Sequence, residues 1–210
     1  MPRIVLASAS PRRRMLLEQI GLPFDVLPSG SPEPAQVDGR PAEHVRRAAA
    51  LKASSVAPRV EHEAVLIGAD TIVCLDGRIL GKPSGPAEAR QMLQRLSGRA
   101  HTVYTGLAVG RAGSVADASV GADRWRELGL DTGSEATHVQ FRQLSDAEIG
   151  SYVDTGEPLD KAGAYAIQGR GALLVQEVRG CYFNVVGLPL VRLAGMLARL
   201  GIRPLQMGTE

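Results

Sequence analysis

The chain has 210 residues, 44% of them apolar, and its 24 basic and 22 acidic side chains leave a net charge of +2. That length and apolar content suffice for one domain, residues 1–210, with a full core, and so even a balance of charge excludes a nucleic-acid coat or a membrane surface as the main partner. Any anion site must therefore be local.

Residues 4–6 are β-formers, and 11–20 read as a helix. Ser10 is a good N-cap, Pro11 suits the first helical position, and Gly21 closes the helix after the stripe Leu16, Leu17 and Ile20. The first turn carries Arg12, Arg13 and Arg14 beside Ser8 and Ser10. Unpartnered amides and the positive end of the helix dipole make such a turn an anion site, with a solvated basic surface as the competing reading. Successive helical residues lie about 100° apart, so the three arginines cannot share one ligand, and Arg14 is assigned to the surface.

Residues 23–40, rich in Pro, Gly and Ser and containing Glu33, read as a loop. Residues 41–57 form a predicted helix with Val45, Ala48, Ala49 and Leu51 on its apolar face and Lys52 near its end. The apolar run 64–69 predicts a central strand ending at Asp70-Thr71, and 72–75 and 78–80 a hairpin about Asp76-Gly77 that delivers Lys82. A helix over 86–96 buries Ala89, Met92, Leu93 and Leu96, and a strand covers 102–109. Residues 110–135, with the only tryptophan, Trp125, read as an insertion between strands. A strand over 136–144 runs into the capping box Ser145-Asp-Ala-Glu148 and a helix to 154. After the glycine-rich stretch 159–171 come predicted strands at 172–178 and 182–186 and an amphipathic helix at 188–200. The hairpin and an antiparallel-looking pair point to an α/β fold with a mixed β-sheet between helical layers.

Cys74 and Cys181 lack metal-type spacing, which predicts a buried free thiol and a reducing compartment. No apolar stretch matches a signal peptide or the roughly 20 residues of a membrane span, so a cytoplasmic location is expected.

Three polar clusters interrupt apolar sequence at predicted strand ends: Ser8 to Arg13, Asp70-Thr71 with Lys82, and Asp160-Lys161 with Gln168. In α/β sheets ligands gather beyond strand ends, so one cleft could collect all three. A turn former, a loop lysine and a local ion pair are the competing readings of Asp70, Lys82 and Asp160-Lys161. A P-loop is excluded because Pro83 follows Gly81-Lys82, and Gly169-Arg-Gly171 is too short for a dinucleotide fingerprint. No serine sits in a nucleophile elbow. His44, His62, His101 and His138 show no paired metal spacing, and His101 and His138, on predicted strands, read as structural. What remains is metal-assisted attack by water, which suits phosphate chemistry.

The segments Leu6-Ala-Ser-Ala-Ser-Pro-Arg-Arg13, Gly68-Ala-Asp-Thr71, Gly81-Lys-Pro83, Leu96-Ser-Gly98, Thr105-Gly106, Asp160-Lys-Ala-Gly-Ala-Tyr165, Ile167-Gln-Gly169 and Val186-Gly-Leu-Pro189 occur in an order that resembles the Maf family of nucleoside triphosphate pyrophosphatases. The resemblance spans nearly the whole chain. It implies an inosine triphosphatase-like fold with a deep cleft, commonly a homodimer, hydrolysing nucleoside triphosphates to monophosphate and pyrophosphate with Mg²⁺ or Mn²⁺. It makes Asp70 the general base or a metal-linked carboxylate, Glu33 a second acidic group near the metal, and Ser8, Arg13, Lys52 and Lys82 phosphate-binding residues. Ser10, Asp160 and Lys161 are further cleft candidates. Arg12, Thr71 and Gln168 occupy the family's specificity positions and resemble the branch acting on dTTP and UTP. A nucleotide-binding regulator of cell division and septum formation, with little turnover, is the alternative the resemblance allows.

Overall fold

The computed structural model describes residues 2–30, 40–115 and 126–206. Glu33, Trp125 and residues 116–125 of the expected insertion lie outside them. One mixed sheet is built from β1 (Ile4–Leu6), β2 (Asp25–Val26), β3 (Val65–Leu75), β4 (Arg78–Leu80), β5 (Ala100–Arg111), β6 (Asp131–Phe141) and β7 (Val175–Arg179). Its order is β2-β1-β3-β5-β6-β7, with β4 paired to β3 off that path. The helices are α1 (Pro11–Gln19), α2 (Pro41–Val56), α3 (Pro86–Leu96), α4 (Asp146–Asp154), α5 (Tyr182–Val186) and α6 (Leu190–Arg199). The α/β class and the mixed sheet between helices are as the sequence predicts. Among the described residues no helix is long and apolar enough to cross a membrane.

Five local expectations are corrected. The strand predicted to end at Asp70-Thr71 continues to Leu75, because β5 pairs with β3 from Val65 to Cys74 and the ladder satisfies the backbone of Asp70 and Thr71 as it does that of their neighbours. The expected insertion shrinks for a similar reason. Gly110 and Arg111 belong to β5 and residues 131–135 to β6, whose first half is nowhere buried and so carries the polar composition of a loop. Residues 182–186 form α5 and not a strand: the Cys181 carbonyl accepts from the Asn184 and Val185 amides, and Gly187 at φ 124 closes the turn. Tertiary contact overrides the β-propensity of Tyr182-Phe-Asn-Val-Val186, since Asn184 is fully buried and donates to the Val103 carbonyl. Residues 169–174 form a 3-10 turn, with β7 starting at Val175, and β2 lies inside the expected loop 23–40.

The pairing of β3 shapes the molecule's cleft. β5 occupies one edge along nearly the whole strand, so β1 and β4 must share the other. β1 pairs with residues 65–67 of β3 and β4 with residues 73–75, which leaves the edge at 68–72 without a strand. β1 is parallel to β3 and β4 antiparallel, so both run toward that gap. Two apolar clusters lie beside it, one around β1, α1 and α6 and one around α3, α4 and the far half of β3, while a third seats α2 on the sheet. Cys74 is buried and Cys181 half-buried, neither in a disulfide, and burial pushes the Cys74 thiol pKa up.

Candidate active site

The gap in the β3 edge opens into a cleft of about 680 Å³. Its lining includes Ser8, Ser10, Arg12, Arg13, Lys52, Asp70, Thr71, Lys82, Asp160, Lys161 and Gln168. The three polar clusters of the sequence therefore meet. They do so because the chain leaving β1 delivers Ser8 to Arg13, the chain leaving β4 delivers Lys82, and Gly163 donates its amide to the Gly81 carbonyl, which docks the Asp160–Gln168 segment alongside. Glu33 lies outside the described residues.

Strand alternation sends Asp70 and Thr71 to opposite faces of β3. Asp70 turns toward α2, where Lys52 Nζ lies 2.5 Å from its Oδ1, with side chains only 16% and 11% exposed. Two glycines make that approach possible. A Cβ at Gly68 would lie 2.1 Å from the Ala49 carbonyl oxygen, and one at Gly106, which faces Asp70 across the ladder, 2.1 Å from that of Val45. Helix α2 thus rests on bare backbone, and Lys52 reaches the sheet.

Thr71 turns toward Arg13. Arg13 is buried, and its Nε donates to the Gly187 carbonyl at 2.9 Å, Nη1 to Ser8 Oγ at 2.9 Å and Nη2 to Thr71 Oγ1 at 3.0 Å. Burial lowers the pKa of its guanidinium, Asp70 opposes that and Arg12 adds to it; the group remains protonated. Thr71 also meets Thr105 Oγ1 at 2.9 Å, and Thr105 donates to the Asn184 carbonyl. Arg13 is therefore fixed in place as part of the cleft wall. Ser10 stands at the α1 N-cap position as expected, yet α1 has no side-chain cap hydrogen bond. Instead the Ser10 amide donates to Ser8 Oγ at 3.3 Å.

On the far side Lys161 Nζ donates to Asp160 Oδ1 at 2.5 Å and to the Glu157 carbonyl at 2.7 Å. The lysine, helped by Arg12, holds the Asp160 carboxyl below its ordinary range. Lys82 is exposed at the rim. His101 and Tyr165 share a hydrogen bond of 2.7 Å behind the cleft, and burial pulls the imidazole pKa down to about 4. That agrees with the structural reading of His101. His138 bonds Thr102 on the sheet and takes no part in the cleft.

A divalent ion has a restricted donor set here. Among the described residues no group of three His, Cys, Asp or Glu side chains could hold one, and Asp70 and Asp160 are the carboxylates of the described lining. Mg²⁺ keeps several waters and is commonly held by one or two carboxylates together with substrate phosphates. The residues present fit an ion that arrives with a polyphosphate and is shared with Asp70. They do not form a cage of their own.

Sequence reasoning missed Thr105, Asn184, Tyr152 and Glu157, which support the cleft from behind. Thr105 lies in a quoted motif, but nothing in the motif says that its hydroxyl is fully buried. Glu157 follows a loop glycine and carries no pattern at all.

A family model described as Maf-like protein matches residues 3–200. Among curated relatives, the "dTTP/UTP pyrophosphatase" of Moorella thermoacetica is 51% identical over 202 residues, covering 96% of this chain and 97% of that protein. The proteins of the same name from Pelotomaculum thermopropionicum and Caldicellulosiruptor saccharolyticus are 49% and 46% identical, each aligned over 96% of this chain and over 98% and 96% of their own lengths.

Proposed function

The chain belongs to the Maf-like family, and from that membership we propose that it is a nucleoside triphosphate pyrophosphatase that hydrolyses dTTP and UTP to the monophosphate and pyrophosphate. The observation that carries the reading is the Asp70–Lys52 pair set at the open edge of β3 and surrounded by Arg12, Arg13, Lys82 and Lys161. Cations of that density match a triphosphate, and the carboxylate supplies a base. A regulator that only bound nucleotide would need no base at Asp70, and that alternative is not favoured.

In this mechanism Lys52 fixes Asp70 Oδ1, so proton abstraction falls to Oδ2. The water it activates attacks the α-phosphorus, the bond between the α- and β-phosphates breaks, and pyrophosphate leaves toward the basic rim. Ser8, Arg13, Lys52 and Lys82 hold the phosphates, and the Arg13 guanidinium is kept in place by three protein acceptors. A divalent cation, Mg²⁺ or Mn²⁺, would neutralise phosphate charge from a position shared with Asp70, and Glu33 is the proposed second acidic group. Ser10, Asp160 and Lys161 complete the lining. Arg12 and Gln168 face the base, since an arginine and an amide can pair with the carbonyl edge of a pyrimidine. Thr71 contributes to specificity through Arg13. A cytoplasmic homodimer with one catalytic domain per chain completes the proposal.

The test is pyrophosphate release from a panel of nucleotides with Mg²⁺ or Mn²⁺, for wild type and Asp70→Asn. Turnover of dTTP and UTP is expected, with kcat reduced by about 10²- to 10⁴-fold in the variant and nucleotide binding retained. No turnover of any triphosphate, or unchanged turnover in Asp70→Asn, would overturn the mechanism. Preference for a purine triphosphate such as 7-methyl-GTP would overturn the base assignment.

A further inference from the structure

The segment that carries Gln168 is gripped from behind by Glu157 and Tyr152. Glu157 Oε1 accepts from the Tyr152 hydroxyl at 2.9 Å and from the Gly171 amide at 3.0 Å, and Oε2 accepts from the Arg170 amide at 3.0 Å. The Tyr152 hydroxyl has one hydrogen, given to Glu157, and it accepts in turn from the Ala166 amide at 3.2 Å. A carboxylate on one side and a phenol on the other thus grip residues 166–171 at both ends, with Ala166, Ile167 and Gln168 turned to the cleft. The fit is close: Gly169 sits at φ 69, and a Cβ there would come within 2.7 Å of Glu157 Oε2. The Glu157 backbone carbonyl meanwhile receives Lys161 Nζ, so the same residue ties together both parts of the Asp160-Lys161 and Gln168 cluster. Burial works against charge on Glu157, but the two amides and the phenol outweigh it and keep the carboxyl below its usual range.

We infer that Glu157, with Tyr152 behind it, is a positioning residue for base selection: it fixes Gln168 against the nucleobase without touching substrate. The inference rests on the reading of Gln168 as a base contact. An acceptor-only group is required, because both Arg170 and Gly171 present N–H donors. A glutamine at 157 would turn an NH₂ toward one of them, so that this backbone amide faces a donor in place of its acceptor. The base-facing segment would then shift, while Ser8 after β1, Arg13 on α1, Lys52 on α2 and Lys82 after β4 would stay.

The experiment measures dTMP and pyrophosphate affinity separately by isothermal titration for wild type, Glu157→Gln and Tyr152→Phe, with thermal melts to check folding. Glu157→Gln is expected to weaken dTMP binding by about tenfold or more while pyrophosphate affinity stays within about twofold, and Tyr152→Phe to shift dTMP in the same direction by less. Unchanged dTMP affinity in the folded variants, or a parallel fall for both ligands, would overturn the inference. Should Glu157→Gln not fold, Tyr152→Phe decides by the same contrast. Failure of the underlying reading is visible in the wild type alone, as dTMP binding no tighter than dGMP.

Discussion

The Thr71 hydroxyl accepts from Arg13 and donates to Thr105, and both directions follow from counting hydrogens. Thr105 has one hydroxyl hydrogen, and it goes to the Asn184 carbonyl at 2.9 Å. The contact of 2.9 Å between Thr71 and Thr105 must therefore use the hydrogen of Thr71. Thr71 has no donor left for a nucleobase. Whatever it contributes to substrate choice passes through the guanidinium it supports.

Thr71→Val keeps the shape and removes the link, leaving a buried Arg13 donor and the Thr105 oxygen without their partner. A loss of about 1–3 kcal/mol in transition-state stabilisation, roughly a tenfold to hundredfold fall in kcat/KM, is expected. Thr71→Ser should retain most of the activity. Steady-state kinetics on dTTP for the two variants decides it: equal losses would show that the hydroxyl is not what matters.

Gly68→Ala and Gly106→Ala each place a methyl against the backbone of α2, and at Gly68 also against the Ala53 Cβ. Neither clash can be relieved by a rotamer, so a destabilisation of about 1–3 kcal/mol is expected in urea titrations. Activity should fall further than stability accounts for, because the displaced helix carries Lys52 away from Asp70. Wild-type kcat in a folded Gly68→Ala protein would contradict the account of α2.

Acid sensitivity should have a His101 component. The folded pKa, about 4, lies below the ordinary 6.5, so between those values the unfolded chain binds the extra proton. The contribution to stability is complete above pH 6.5, declines as pH falls and is gone below about 4, amounting to about 3 kcal/mol over that window. His101→Gln should flatten the dependence of the urea midpoint on pH between 6.5 and 4. An unaltered slope would remove His101 from the explanation.

Chelation should separate folding from chemistry. With no protein-only cage among the described residues, EDTA is expected to leave Tm within about 1 °C while abolishing pyrophosphate release, and added Mg²⁺ to restore it. A large fall in Tm on chelation would indicate a resident structural ion.

The legible parts of this chain were those in which one short-range rule dominates. The periodic apolar face of α3 and the capping box of α4, where Ser145 and Glu148 bond reciprocally, needed no distant partner. The strand through Asp70 was misjudged because a polar pair inside an apolar run looks like an end, whereas the ladder with β5 carries it through. The polar first half of β6 looked like a loop because its surface faces water. In the cleft, the residues that present charge could be named from their segments. The groups that hold them, Thr105, Asn184 and Glu157, act through hydrogen bonds to residues that no local pattern pairs with them.

The interruption in the β3 edge has a mechanical side. β1 steadies the first third of that edge and β4 the last, and between them no strand of the sheet does so. On the proposed reading, a nucleotide seated there and held by groups from both flanking turns would splint the middle of the strand as its neighbours splint the ends. Substrate would then be the piece that completes the sheet, and each release of product would leave the molecule one brace short until the next one arrives.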